Sequence, residues 1–375
     1  MALTLPNFLY CTCQIGAEAA LKADVCARAP ALRPAFGRPG LVTFKDTRGG
    51  VPAEAPSPSP LARAWGAALG PVADAGAVAA AIARTFPEGE ALRLHVFERD
   101  RWRPGDEPEG FVYGPAAAAA RAEIVASWPE GHPLLAGEEA AAGDLVVDVI
   151  VAPDEAMTVG FHRHGGGRVR WPGGRIPVEM PADSPSRAYR KLEEAVIWSG
   201  APLRAGDVAL EIGSSPGGAS YALLRRGLTV HGIDPGLMDP VVLGFEGPGG
   251  ARFVHHHAPM AQVERRDLPT ALHWVLCDVN LAPQVALRTV ARLAGRPRPA
   301  LLGVLCTLKL DTWKALRHLE TWTRTIAAMG MAEVRVTQLP SNRLELLACG
   351  LTAKGAARRD EARRDEGVGA STRAG

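Results

Sequence analysis

Glu211-Ile212-Gly213-Ser214-Ser215-Pro216-Gly217-Gly218 follows an apolar run over 208–210 and precedes a helical pattern over 219–225. That order predicts a strand, a tight glycine loop and a helix start. Glycines at 217 and 218 let the backbone approach a ligand that larger side chains would exclude, and a helix N-terminus sets unpaired N–H groups beside it. Thr229-Val230-His231-Gly232-Ile233-Asp234 reads as a second strand ending in an acid. It lies about 20 residues after the loop, where a carboxylate can accept both hydroxyls of a ribose. The acidic start at Glu211 and the proline inside the loop fit neither the dinucleotide Gly-x-Gly-x-x-Gly pattern nor a phosphate loop ending in Gly-Lys-Ser/Thr. S-adenosylmethionine is therefore the expected cofactor.

Outward from this loop the chain keeps a helix–strand rhythm. Further strands are expected over 252–255, 273–277, 301–308, 333–337 and 345–351, with helical stretches such as 313–329 between them. This alternation predicts a seven-stranded, mostly parallel α/β sheet of Rossmann-like type over 184–352, with ligands at the carboxyl edge of its strands. The final 353–375 alternates basic and acidic residues without an apolar period and reads as a disordered tail.

Upstream, strands are expected over 7–13, 40–44, 91–98 and 144–152, and helices over 17–29, 61–69, 75–85 and 116–128. They define a smaller α/β region over 1–160. Within it, the proline-rich 49–60 reads as an extended linker or long surface loop. Residues 161–183 form a basic, glycine-rich connector in which His162, Arg163, His164, Arg168, Arg170 and Arg175 surround Trp171. Such a segment is either a solvated loop or a connector whose arginines track phosphates beside a stacking face.

With 375 residues and 47% hydrophobic content, the chain can build two or three cores. A net charge of +2 leaves nucleic-acid binding to the distribution of basic residues. Six cysteines without a Cys-x-x-Cys pair or repeated spacing support neither a zinc site nor a disulfide framework, so a reduced, cytoplasmic setting is expected and no metal. The apolar start of the chain lacks a basic leader, and no 18-residue apolar run occurs, so neither an export signal nor a membrane span is expected.

Three charged residues sit where apolar strands end or begin: Asp278 after 273–277, Lys309 after 305–308 and Glu345 before Leu346-Leu347. Each alone could be an ordinary edge charge. In a methyltransferase sheet the last strand runs antiparallel, so its start shares an edge with the ends of the parallel strands and the three converge. A helix containing Ser186 to Ala195 can add Lys191. Two lysines and two carboxylates in one place suit proton removal from a ribose 2′-hydroxyl. An amine can accept that proton only when its pKa is lowered by burial or by a second cation, which Lys191 would supply to Lys309. Base N-methylation usually needs an Asp/Asn-Pro-Pro-aromatic turn, whereas the turn here is Asp278-Val279-Asn280-Leu281. Cytosine C5 methylation needs a nucleophilic cysteine, and Cys277 and Cys306 read as small apolar strand residues.

Ser186-x4-Lys191-Leu192, Glu211-x-Gly213-x2-Pro216-Gly217-Gly218, Cys277-Asp278, Leu308-Lys309-Leu310 and Arg343-x-Glu345 together resemble the Lys-Asp-Lys-Glu tetrad of the FtsJ-like ribose 2′-O-methyltransferases. Within that superfamily the chain is most similar to the bacterial 23S rRNA cytidine 2′-O-methyltransferases that carry an amino-terminal THUMP RNA-binding region. The similarity is strongest over 181–351 and extends weakly into 10–44. It implies methylation of a cytidine in large-subunit rRNA or its precursor particle, with no DNA substrate. Lys309 would be the proton acceptor, with Lys191, Asp278 and Glu345 completing the tetrad. The resemblance also implies cofactor contacts at Ser186, Ser215, Pro216, Gly217, Gly218, Asp234 and Asp278, beside the loop residues Glu211 and Gly213. Where the family has an acid after the third strand, this chain has His255-His256-His257, so His257 stands at the position of the adenine contact. The competing reading is an RNA-binding or ribosome-assembly protein that retains the fold with little turnover. A 2′-O-methyltransferase acting on another RNA is a further alternative.

Overall fold

A computed structural model of the chain describes residues 5–108, 113–165, 167–295 and 299–371. The chain divides into two units, Met1–Pro177 and Val178–Gly375.

The first unit runs β1 (Phe8–Thr12), α1 (Glu18–Arg28), β2 (Leu32–Arg38), β3 (Leu41–Asp46), β4 (Trp65–Val72), α2 (Ala75–Thr85), β5 (Leu92–Glu98), α3 (Pro115–Ala126), β6 (Leu145–Val151) and β7 (Met157–Arg163). Its strands form one sheet in the order β2-β3-β1-β4-β7-β6-β5. Neighbours are antiparallel except β5 with β6. Helix α2 starts where the Asp74 carboxylate accepts the Ala77 N–H at 2.8 Å, a cap worth about 1 kcal/mol. Two glycines make room for a polar link across this sheet. The Tyr10 ring occupies the space over Gly66 and Gly160, where a Cβ would lie within 2.9 and 2.5 Å of it, and its hydroxyl donates to buried Asp148 at 2.6 Å.

Several expectations for this half are corrected. Residues 61–69 do not form a helix: from Trp65 onward they enter β4, a central strand paired with β1 on one side and β7 on the other. The proline-rich 49–60 is no free linker, because Val51, Ala53 and Ala55 are buried in alternation with exposed neighbours and Ser59 is buried beyond them. The expected connector over 161–183 is split. Phe161, His162 and Arg163 belong to β7, and the unit boundary falls at 177/178. Arg168 of that connector is spent on protein contacts. It donates to the carbonyls of Trp65 and Ala55 and stacks 4.2 Å over the Trp65 ring, while Arg175 pairs with Asp100.

The second unit comprises α4 (Ala188–Ser199), β8 (Val208–Ile212), α5 (Gly218–Arg225), β9 (Thr229–Ile233), α6 (Pro240–Leu243), β10 (Phe253–His256), β11 (Trp274–Cys277), α7 (Pro283–Ala294), β12 (Gly303–Lys309), α8 (Leu319–Ala328), β13 (Glu333–Thr337), β14 (Glu345–Leu351) and α9 (Ala353–Ser371). The sheet order is β10-β9-β8-β11-β12-β14-β13, all parallel except β14, which is antiparallel to β12 and β13. This is an open, mostly parallel Rossmann-like α/β sheet, as the rhythm from 184 onward predicts. Strand order reverses between β8 and β11, which is where open α/β sheets leave a crevice. Leu210, Val230, Val275 and Val304 are wholly buried on these strands, the near-continuous apolar pattern of strands covered on both faces.

The expected disordered tail is also corrected. Residues 353–371 form α9, and residues 372–375 lie outside the described residues. Charge rather than apolar periodicity docks it: the Arg358 guanidinium donates to both oxygens of buried Asp207 at 3.0 Å, and Arg359 pairs with Glu333.

Candidate active site

Four chain segments bring their charges to one point at the carboxyl edge of the second sheet. Lys309 ends β12, Glu345 begins β14, Asp278 follows β11, and Lys191 comes from α4. The Lys309 ammonium lies 2.7 Å from Asp278 Oδ1 and donates to Glu345 Oε2. Lys191 donates to the other oxygen, Glu345 Oε1, and lies 3.9 Å from Asp278. Glu345 thus bridges two ammonium groups. Asn342 Nδ2 donates to Glu345 Oε1 at 3.1 Å, a contact the sequence reading missed although Asn342 stands one turn's spacing before Glu345. Buried Glu194 accepts from both the N–H and the hydroxyl of Ser341, at 3.0 and 2.7 Å. That fastens α4, which carries Lys191, to the turn that carries Glu345.

Burial disfavours the Glu345 carboxylate, but the charges and hydrogen bonds of Lys191 and Lys309 outweigh it and hold its pKa below the usual glutamate value. Burial likewise disfavours the Lys309 ammonium, yet Asp278 and Glu345 prevail and raise its pKa above that of an ordinary lysine. The expected lowering of the Lys309 pKa is therefore corrected: two carboxylates in contact decide the sign.

Of the residues expected to hold the cofactor, Glu211 and Asp278 line a cleft, and local contacts link several of the others to the loop. Gly213 adopts φ +86°, and a Cβ there would lie 2.6 Å from the Asp278 carbonyl, so the glycine lets the loop close against the β11 end. The Ser215–Pro216 peptide is cis. Gly217, with φ +121°, precedes α5, whose N-terminus carries no side-chain cap. Gly218 abuts Ser186, and a Cβ would come within 2.3 Å of its hydroxyl. Asp234 accepts the N–H groups of Ser215 at 3.1 Å and Gly236 at 2.7 Å. A carboxylate has about four lone-pair sites, so Asp234 keeps acceptor capacity for hydroxyls. Glu211 is fully buried, and burial pushes its carboxyl up to about 8 even though the Ser220 hydroxyl donates to it.

His257 packs against the turn that follows β9. Its Nε2 is 2.9 Å from the Pro235 carbonyl and its ring stacks 5.0 Å from His255, whose Nε2 meets the Asp234 carbonyl at 3.0 Å. A carbonyl only accepts, so each Nε2 carries the proton and each Nδ1 of a neutral ring is left as an acceptor. Among the described residues no group of three or more His, Cys, Asp or Glu side chains is arranged to hold a metal ion.

Lys191, Glu211, Asp278, Thr307 and Asn342 line one cleft with Ala188 and Ala219. Its carboxylates suit a ligand bearing positive charge and hydroxyls, and its small alanines leave room, so the residues present fit S-adenosylmethionine.

The chain is similar to an Azoarcus protein named ribosomal RNA large subunit methyltransferase M, with 28% identity over 186 residues covering 48% of this chain and 49% of the relative. A Shewanella amazonensis protein of the same name is 33% identical over 159 residues, covering 40% and 41%. Its sequence relatives are bacterial large-subunit ribosomal RNA methyltransferases. The chain spans about half the length of the curated relatives it matches. No family model matches it. Among solved structures, TrmN from Thermus thermophilus aligns with 92% of the chain and 99% of its own at a TM-score of 0.31 and 16% identity. The Methanococcus jannaschii fibrillarin pre-rRNA processing protein aligns with 55% and 82% at a TM-score of 0.33 and 12% identity. Among the described residues no helix is long and apolar enough to cross a membrane.

Proposed function

We propose that the chain is an S-adenosylmethionine-dependent ribose 2′-O-methyltransferase acting on large-subunit rRNA. The observation that carries this reading is the contact of Lys309 with both Asp278 and Glu345, with Lys191 on the far oxygen of Glu345. S-adenosylmethionine, when bound, supplies an electrophilic methyl group on a sulfonium. Asp278 and Glu345 hold the Lys309 Nζ at one point, so that its neutral form can accept the 2′-hydroxyl proton. Glu345 then shares the resulting ammonium, and Lys191 keeps Glu345 ionised throughout. The loop residues Glu211, Gly213, Ser215, Pro216, Gly217 and Gly218, with Ser186, Asp234 and His257, would hold the cofactor.

The first unit would recognise RNA in the manner of a THUMP region, a cytidine would be the acceptor, and the protein would work in the cytoplasm. The relatives named for large-subunit rRNA support the substrate class. Transfer of labelled methyl to unmodified 23S rRNA, followed by mass-spectrometric mapping, tests the activity, the substrate and the acceptor nucleotide together. The expected product is one 2′-O-methylcytidine. Binding of S-adenosylmethionine with no methylated nucleotide on any RNA would favour the RNA-binding or assembly reading instead.

A further inference from the structure

Strand β2 lies at the edge of the first sheet, and its sequence, Leu-Arg-Pro-Ala-Phe-Gly-Arg, is exposed over most of its length. In a regular strand Arg33 and Phe36 would point to opposite faces, because side chains alternate. Here an irregularity between Pro34 and Phe36 inserts one residue. Arg33, Phe36 and Arg38 consequently pair with Lys45, Thr43 and Leu41, which are every second residue of β3 and share one face. Phe8 of β1 pairs with Lys45 from the other side and joins the same face.

The result is a surface on which two exposed phenylalanines, Phe36 at 48% and Phe8 at 39%, are interleaved with Arg33, Arg38 and Lys45. Helix α1 does not cover it. A Cβ on Gly37, which alternates with Phe36 and Arg38, would meet the Lys22 ammonium of α1 at 3.1 Å, so α1 packs on the opposite face. The Arg38 guanidinium lies 4.6 Å over one side of the Phe36 ring. The acid near this group, Glu155, is 3.7 Å from Arg38 and already bonded to Arg99 at 2.7 Å.

Protection of an edge strand accounts for the irregularity, Pro34 and the charges. It does not account for exposed aromatic rings set among them. We propose that the open part of this face, bounded where Tyr10 and Leu41 are buried in the core, is a binding platform for single-stranded RNA, with bases stacked on Phe36 and Phe8 and phosphates met by Arg33, Arg38 and Lys45. Aromatic rings serve any base, and the surrounding cations select a polyanion. Strand spacing sets the two rings about 12 Å apart, so they serve non-adjacent bases. The platform rests on the rRNA reading only for the identity of its natural ligand.

The test is fluorescence anisotropy of labelled oligo(U) with the full chain over a range of salt. Phe36→Ala should weaken binding about tenfold or more with the salt slope unchanged, and Phe36→Tyr should restore it. Arg33→Ala with Arg38→Ala should lower the salt slope by about 1.4. Circular dichroism and S-adenosylmethionine affinity should match the unsubstituted chain. Absence of oligo(U) binding by the unsubstituted chain, or affinities and slopes unchanged in folded variants, overturns the platform and leaves the face to a protein partner. Methyl transfer measured on the same preparations separates the two readings. Phe36-dependent binding without transfer sinks the methyltransferase assignment alone, and transfer with binding indifferent to these residues sinks the platform alone.

Discussion

Lys309 and Glu345 are the last register pair of the antiparallel β12–β14 ladder, so backbone pairing alone sets ammonium against carboxylate. A one-residue slip would send one of them to the opposite face. The site is therefore built into sheet topology, with Asp278 and Lys191 added from β11's end and α4.

Replacing Lys309 with alanine should lower methyl transfer by about 10²–10⁴-fold, the usual contribution of a positioned proton acceptor. Single-turnover transfer and calorimetric binding of S-adenosylmethionine measure the two effects separately. Affinity should stay close to that of the unsubstituted chain, and strong residual transfer would remove the role from Lys309.

The raised pKa of Lys309 fixes the shape of the pH profile. Only the neutral amine accepts a proton, so transfer should rise across the neutral and mildly alkaline range without reaching a plateau below the ordinary lysine pKa. Asp278→Asn removes one of the charges that raise it and should move the rising limb to lower pH, whatever it does to the maximum rate. A limb unmoved by this change would mean that Lys309 is not the titrating group.

Much of the second unit is legible in the sequence because its strands are apolar runs bounded by glycine loops and charges, as at 208–212 and 274–277. Asp278, Lys309 and Glu345 are legible for the same reason, since they mark strand ends, whereas Lys191 lies inside α4. Strand β2 is not, because Pro34, Gly37 and two arginines hide an edge strand that buries little. Residues 61–69 fit helical spacing on paper, and only the neighbours β1 and β7 select the strand. Helix α9 has no apolar stripe to read; its anchors, Asp207 and Glu333, lie far away in sequence. The sign of the Lys309 shift is equally hidden, because it depends on distances to two carboxylates rather than on the count of nearby lysines.

Gly218→Ala should destabilise the second unit by about 1–3 kcal/mol, the range for forcing a methyl group into a packed site. The added Cβ would meet Ser186 Oγ at 2.3 Å, its carbonyl at 2.8 Å and the Tyr189 nitrogen at 3.0 Å. The hydroxyl can rotate, but the backbone atoms cannot move without shifting the start of α4 and with it Lys191. Thermal melting should show the loss, and Ser186→Gly in the same chain should recover only part of it. Unchanged melting of the single variant would show that this contact is slack.

Glu211 gives the second unit a pH dependence opposite to that of Glu345. Its folded pKa of about 8 lies above the usual glutamate value, so the folded state holds a proton that the unfolded state releases. The stability this provides is complete below the ordinary carboxylate pKa and is lost as pH rises toward 8. Glu211→Gln mimics the protonated form and should abolish that decline, melting above the unsubstituted chain at pH 9 by an amount that grows from pH 5. Binding of a cation-bearing cofactor beside Glu211 should also expel the proton. Calorimetry at pH 7 in two buffers of different ionisation enthalpy should therefore show proton release by the unsubstituted chain and none by the Glu211→Gln variant. Equal enthalpies in both buffers for the unsubstituted chain would mean that Glu211 keeps its proton and is a structural acid, held by Ser220.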